Sequence, residues 1–171
     1  MKKLFLPLVL LISASALPQQ APLNSPLLDH LAGQWILQGI IAGQQTTHDV
    51  DVSWEIQHHY LQIREVSREK NAAGQPQYEA IIYVAWNEDT RQYACVWLDV
   101  YGSLNTSSLG FATPKESEIP FTFRNTKGEI SFSNVFAYDP KTDTWEWRMD
   151  NIEKGVAKPF GRVKLQRKSQ N

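Results

Sequence analysis

The sequence predicts an all-β fold, in which an antiparallel up-and-down meander of about eight to ten strands closes into a barrel with one short N-terminal helix. Apolar and polar residues alternate with period two from Trp35 onward, and Gly, Asn, Asp and Pro bound the runs. Little helix is available to cover such a sheet. Closure into a barrel would bury one face and remove the exposed edges. A two-sheet sandwich is the competing architecture.

The helix is predicted at the start of the folded chain. Ser25 is a suitable N-cap, Pro26 suits the first helical position, and Gly33 marks the end. Leu28 and Leu31 give this segment an apolar face.

Ten strands are predicted from their bounding turns, at about 34–41, 47–57, 60–69, 77–86, 92–101, 104–111, 118–124, 129–138, 143–152 and 159–168. The loops between them are mostly short and polar, which favours hairpin connections. Segments 86–93 and 138–145 share the order aromatic, Asx, two residues, Thr, two residues, aromatic. In each, we expect the Asx side chain to bond the turn backbone and the aromatic side chains to pair across the strands.

Residues 1–16 have the pattern of a cleavable signal peptide. Lys2 and Lys3 precede the apolar run 4–12, and small residues at 14–16 suit cleavage after Ala16. The run is much shorter than the roughly 20 residues needed to span a bilayer. No Cys follows the cleavage site, so a lipoprotein is not expected. We therefore expect a flexible leader over 17–24, a single domain over 25–171, no integral membrane segment after cleavage, and a periplasmic or secreted location.

Charge and cysteine content narrow the function further. The chain has 17 basic and 18 acidic residues, and removal of Lys2 and Lys3 leaves 15 basic residues and a formal charge of −3. This balance disfavours nucleic-acid binding. Cys95 is the only cysteine, so no intrachain disulfide can form, and its aromatic strand context favours a structural thiol.

The tripeptide 33–35, Gly-Gln-Trp, resembles the Gly-x-Trp signature of lipocalins and the wider calycin superfamily. Over residues 28–168 the chain resembles uncharacterised bacterial secreted proteins with a lipocalin-like barrel. The other residues that carry this resemblance are Trp54, Tyr83, Trp86, Tyr93, Trp97, Leu98 and Asp99. The resemblance implies that Gly33 and Trp35 form a structural signature, with Trp35 plugging one barrel end beneath Arg162 or Arg167 in a cation–π contact. Related haem-binding barrels have a His near the C-terminal strands, whereas the four His here are at 30, 48, 58 and 59.

A ligand cavity is predicted from strand parity. If the Tyr93 and Cys95 face of its strand points inward, residues of the preceding strand and the later hairpin can line the same space. The predicted ligand-binding residues are Glu79, Tyr83, Trp97, Asp99, Tyr101, Trp147 and Asn151. A carboxylate inside a barrel needs a partner, which is either a structural hydrogen-bond network or a polar ligand.

The sequence contains only weak motifs for catalysis or metal binding. His58 and His59 are neighbours in sequence and would point to opposite faces of a strand, so a solvated turn before Tyr60 is the simpler interpretation. No Gly-x-Ser-x-Gly motif is present, and Glu146 and Asp150 fit the wet face of a strand. We expect no metal and no cofactor.

The function predicted from the sequence is a secreted or periplasmic binding protein for a small apolar or amphipathic molecule, with no chemistry. One alternative is an interaction module whose barrel is filled by its own side chains. Its strand 92–101, apolar on both faces, would bind a protein partner or a second copy in a homodimer, unless the N-terminal helix covers it. The other alternative is an enzyme that uses Asp99 or Glu79 at the barrel mouth for acid–base chemistry.

Overall fold

The computed structural model describes residues 25–102 and 104–169, which form a closed antiparallel barrel of ten strands. Each strand pairs with its sequence neighbours, and the last strand pairs with the first to close the sheet. The predicted all-β barrel is therefore confirmed, and the sandwich is wrong. The predicted signal peptide and leader lie outside the described residues.

A short helix, α1 (Pro26–Leu31), precedes the barrel. The strands are β1 (Gly33–Ile41), β2 (Gln44–Glu55), β3 (Tyr60–Ser67), β4 (Glu79–Asn87), β5 (Gln92–Asp99), β6 (Leu109–Ala112), β7 (Glu118–Arg124), β8 (Ile130–Asp139), β9 (Thr144–Glu153) and β10 (Val156–Arg167). Among the described residues, no helix is both long and apolar enough to cross a bilayer.

The largest departure from the predicted strands is at 104–111. Only Leu109–Ala112 is strand, and Thr106–Ser108 forms one turn of 3-10 helix. The side chain of Asn105 explains the turn, because its Oδ1 accepts a hydrogen bond from Ser107 N at 2.8 Å. Local side-chain capping of this kind competes with strand pairing.

The two similar hairpins form as predicted. Asn87 Oδ1 accepts a hydrogen bond from Thr90 N at 3.1 Å, and Asp139 Oδ1 accepts one from Lys141 N at 2.9 Å. The flanking aromatic pairs are directly opposite across the strands, Trp86 with Tyr93 at 5.2 Å and Tyr138 with Trp145 at 5.0 Å between ring centroids.

Helix α1 closes one end of the barrel. Leu28 and Leu31 are fully buried, and Trp35 Nε1 donates to Leu31 O at 2.7 Å. The helix does not cover the outer face of β5, because Leu98 on that face remains 39% exposed. The alternative in which α1 covers this strand is therefore wrong, because the apolar face of the helix plugs the barrel end instead.

The Gly33-x-Trp35 segment opens β1 beneath a single arginine. Of the two arginines expected over Trp35, Arg167 is the one present, with Cζ 3.8 Å from the ring centroid. Arg162 instead forms an ion pair with Asp150. Gly33 has a φ of 125°, and a Cβ there would lie 2.5 Å from Arg167 Nη1. Glycine thus allows both the backbone conformation and the close approach of the guanidinium.

Candidate functional site

The candidate site is a cavity of about 530 Å³ at the barrel end opposite α1. Strand β1 leaves α1 at Gly33 and reaches this end at Ile41, which lines the cavity. The volume is within the roughly 300–1,000 Å³ typical of small-molecule sites. The apolar walls come from Trp97, Phe123, Phe132, Trp147, Met149 and Phe160. The barrel is therefore not filled throughout by its own side chains.

A buried polar cluster lies on one wall. His48 Nδ1 hydrogen-bonds Glu65 Oε1, and both residues are only 3% exposed. His48 Nε2 lies 2.7 Å from Thr46 Oγ1, which in turn donates to Glu69 Oε2 at 2.9 Å. The alternation of β2 explains the placement of His48, because Val50 and His48 face inward together.

Glu65 extends the inward face of β3. Leu61 and Ile63 point into the barrel, and Glu65 is the next residue on that face. Burying a carboxylate is costly unless it is hydrogen-bonded, and His48 supplies that bond. Burial alone would raise the pKa of Glu69, but hydrogen bonds from the backbone and from Thr46 hold it below its usual value.

Tyr78 and Trp97 connect this cluster to Asp99. Trp97 Nε1 donates to the Tyr78 hydroxyl at 2.9 Å. Burial raises the pKa of Tyr78 far above its ordinary value, and the nearby negative charges of Glu65 and Asp99 raise it further. Tyr78 is therefore a neutral phenol at physiological pH.

The ionisable side chains of the cavity wall are mainly acidic. Its carboxylates are Glu65, Glu69 and Asp99, and none of the described lining residues is Lys or Arg. His48 is the only basic side chain among them. Among the described lining residues, carboxyl groups therefore outnumber basic side chains by three to one.

Trp147 leaves a buried hydrogen-bond donor unused. The side chain is 1% exposed and lines the cavity, yet its Nε1 has no hydrogen-bond partner. On the adjacent strand, Asn134 is fully buried, and neither polar atom of its side chain has a partner. Asn134 is opposite Met149 and therefore diagonal to Trp147 on the inward face. Buried polar groups normally have hydrogen-bond partners, so these three side-chain atoms are exceptions in the described part of the chain.

The structure brings together four of the predicted site residues and separates three. Those that line the cavity are Trp97, Asp99, Tyr101 and Trp147. Glu79 is on the outside, paired with Arg64 at 2.7 Å, and Tyr83 there accepts a hydrogen bond from Gln62 at 2.8 Å. Asn151 is exposed and outside the lining.

The expectation that Glu79 and Tyr83 share the inward face with Asp99 is wrong because of the register of β4 and β5. Ala80 is directly opposite Asp99, so the even-numbered residues of β4 point inward. A one-residue difference in register exchanges the two faces of a strand.

Sequence reasoning missed His48, Glu65, Glu69 and Tyr78. The sequence contained a signal for two of them, because both continue an inward apolar alternation. His48 precedes Val50 on the inward face of β2, and Glu65 follows Ile63 on the inward face of β3. Glu69 and Tyr78 lie in the connection between β3 and β4, where no periodicity applies. Such positions become recognisable only once the fold brings them together.

The remaining candidates for chemistry have structural explanations. His58 lies in the turn between β2 and β3, as expected, and stacks on Trp54 with ring centroids 3.9 Å apart. Cys95 is buried, and burial raises the pKa of its thiol to about 12. Within the described part of the chain, no group of three or more His, Cys, Asp and Glu is arranged to hold a metal ion. Comparison with protein families and with curated proteins finds no match for this chain, so the chemistry of the cavity is the basis for a functional assignment.

Proposed function

We propose that this chain is an exported binding protein for a small amphipathic molecule, which it holds in the open half of the barrel. The observation that carries the proposal is the cavity of about 530 Å³, with aromatic walls and one buried polar cluster. A cavity with apolar walls and a few placed polar groups is the usual design of a small-molecule site.

The walls suggest how the ligand lies. Its apolar body contacts Trp97, Phe132 and Trp147, and its polar end faces the wall that contains His48 and Glu65. Roughly 15 non-hydrogen atoms at about 0.5 kcal/mol each give an affinity in the micromolar range.

Two further observations support the proposal. The signal-peptide pattern of residues 1–16 supports export. The placement of Arg167 over Trp35 is the arrangement that the resemblance to lipocalins implies, and a ten-stranded closed barrel is compatible with a lipocalin-like fold.

The test is a titration of exported, delipidated protein with decanol, followed by calorimetry and by tryptophan fluorescence. We expect saturable binding with a change in emission that falls in Trp97→Phe, because that indole is part of the wall. Trp54→Phe is the matched control, since Trp54 stacks on His58 and does not line the cavity. Absence of saturable heat, together with an unchanged emission spectrum, would contradict the proposal.

A second candidate is acid–base catalysis in the same cavity. The favouring observation is that His48 lies between Glu65 and the hydroxyl of Thr46, which resembles a base held by a carboxylate next to a nucleophile. However, Thr46 Oγ1 donates its proton to Glu69 at 2.9 Å, which directs that proton away from His48. Hydrolysis of a panel of p-nitrophenyl esters that is lost in His48→Gln would support this candidate; equal rates in both proteins would reject it.

A further inference from the structure

We propose that the ligand is an organic cation: an amine or quaternary ammonium group on an apolar body that also has a neutral hydrogen-bond acceptor. This inference rests on the proposed binding function and specifies the chemistry of its ligand. Three independent features of the cavity support it, namely the sign of its charge, the aromatic side chains beside that charge, and the unused donor of Trp147.

The charge of the wall selects a cation. Glu65, Glu69 and Asp99 line the cavity, and His48, which is already hydrogen-bonded to Glu65, is the only basic group among the described lining residues. A carboxylate ligand would meet charge of its own sign in a partly desolvated space, where repulsion is weakly screened. A cation would supply the missing counter-charge.

Arginines on neighbouring strands do not reverse this selection, because their partners are on the outer face. Arg64 pairs with Glu79 at 2.7 Å, and Arg148 pairs with Glu118 at 2.6 Å. Neither arginine is part of the cavity lining. An anionic ligand would therefore find no guanidinium in the described wall.

Aromatic side chains stand beside the carboxylates. Tyr78 and Tyr101 have ring centroids 6.3 Å apart, and Trp97 donates to the Tyr78 hydroxyl. Asp99 is on the same wall, and its Oδ1 accepts from Tyr101 N at 3.0 Å. Ring faces combined with carboxylates suit ammonium groups, because the ring quadrupole attracts a cation without requiring it to donate a hydrogen bond.

Trp147 supplies the observation that does not depend on charge. The Trp147 ring lines the cavity, but its Nε1 is buried and has no partner, so a ligand that comes within hydrogen-bond distance of this atom must offer an acceptor. Because a carboxylate is disfavoured there, the acceptor is a neutral oxygen such as a hydroxyl, ether or carbonyl. A ligand with a cationic end and a neutral oxygen satisfies both parts of the cavity.

The test compares ligands with one chain length and three charges: decylamine, decyltrimethylammonium, decanol and decanoate at pH 7.5, by calorimetry on the exported protein. We expect both cations to bind at least tenfold more tightly than decanol, and decanoate to bind more weakly than decanol. Raising the salt concentration is expected to reduce the cation preference.

Two variants locate the charge effect. Asp99→Asn is expected to weaken binding of decylamine by three- to tenfold and to change decanol binding less than twofold. Glu65→Gln is expected to do the same if it folds, and the less buried Asp99 provides the test if it does not. Glu146→Gln, an exposed residue of β9, is the control and should leave both affinities unchanged.

The outcomes separate the two proposals. Equal affinity for decanol and decylamine, or tighter binding of decanoate, would overturn the cation inference and leave the binding function standing. An unchanged cation preference in Asp99→Asn and Glu65→Gln, with both variants folded by circular dichroism, would also overturn it. Absence of binding by all four ligands would overturn both proposals.

Discussion

The same strands form both ends of this barrel, but the two ends differ in the hydrogen bonding of their polar groups. At the closed end, Trp35 Nε1 donates to Leu31 O at 2.7 Å, and Trp54 Nε1 donates to Asp29 Oδ1 at 2.9 Å. At the open end, Trp147 Nε1 has no partner and carboxylates line an unfilled space. Satisfied groups stabilise a fold, whereas unsatisfied ones are tolerated where a ligand can complete them.

Two strands show the change within a few residues. In β5, Tyr93 hydrogen-bonds Ser25 of the N-terminal cap at the closed end, whereas Trp97, four residues later, lines the cavity and donates to another lining residue, Tyr78. In β9, Trp145 is at the closed end, where its Nε1 donates to His30 O at 3.4 Å, whereas Trp147 has no acceptor. The distinction is therefore one of position along each strand, and single substitutions can test it at either end.

The largest effect on stability is expected from removing the indole of Trp35 at the closed end. Trp35→Ala should lower the free energy of unfolding by about 3–5 kcal/mol, because it removes a fully buried indole, its hydrogen bond to α1 and the surface under Arg167. Urea denaturation measures this. Trp97→Ala is the open-end counterpart and should cost less than half as much, since Trp97 is only partly buried beside an existing cavity. Equal costs would show that the two ends contribute equally to stability.

Arg167→Ala should have the next largest effect, a loss of about 1–3 kcal/mol in unfolding free energy. Its guanidinium covers Trp35, donates to Ala32 O at 2.7 Å and to His30 O at 2.9 Å, and pairs with Asp143. Arg64→Ala is the matched control, because Arg64 makes one surface ion pair, worth at most about 1 kcal/mol. A loss in Arg167→Ala no larger than in this control would contradict the role of Arg167 as a lid.

The closed end could be predicted from sequence far better than the open end, for a physical reason. The N-cap at Ser25, the helical Pro26 and the Gly-x-Trp segment are local signals, and strand alternation sets the barrel. The cavity instead depends on registers between distant segments. The identity of the inward face of β4 follows from pairing Ala80 with Asp99, and no local pattern sets that pairing.

A finer comparison of the two ends replaces Trp147 and Trp35, each in a separate variant, by Phe. Trp147→Phe also leaves a small void, but it removes a buried donor that has no partner, so it should lower stability by less than Trp35→Phe, at most about 1 kcal/mol. Trp35→Phe should lower stability by about 1–3 kcal/mol, because it leaves the Leu31 carbonyl without its donor and a small void beneath Arg167. Thermal melts of the ligand-free proteins give both values. A loss of stability in Trp147→Phe as large as that in Trp35→Phe would mean that the Trp147 N–H is satisfied in solution.

The smallest effect concerns the pH dependence of the closed end. The hydrogen bond from Arg167 holds the pKa of Asp143 below its ordinary value of 3.8, against the opposing effect of burial. A carboxyl whose pKa is lower in the folded state contributes stability above its unfolded pKa, and that contribution is lost as pH falls from 3.8 through the folded value. Because Asp143 is about half exposed, screening reduces the contribution to less than about 1 kcal/mol.

Asp143→Asn should therefore be slightly less stable than the wild type in urea at pH 7, and the difference should vanish once the pH is well below 3.8. An amide can still accept the hydrogen bond from Tyr138, so the substitution removes the charge and keeps that bond. A difference that persists in acid would therefore contradict a charge effect.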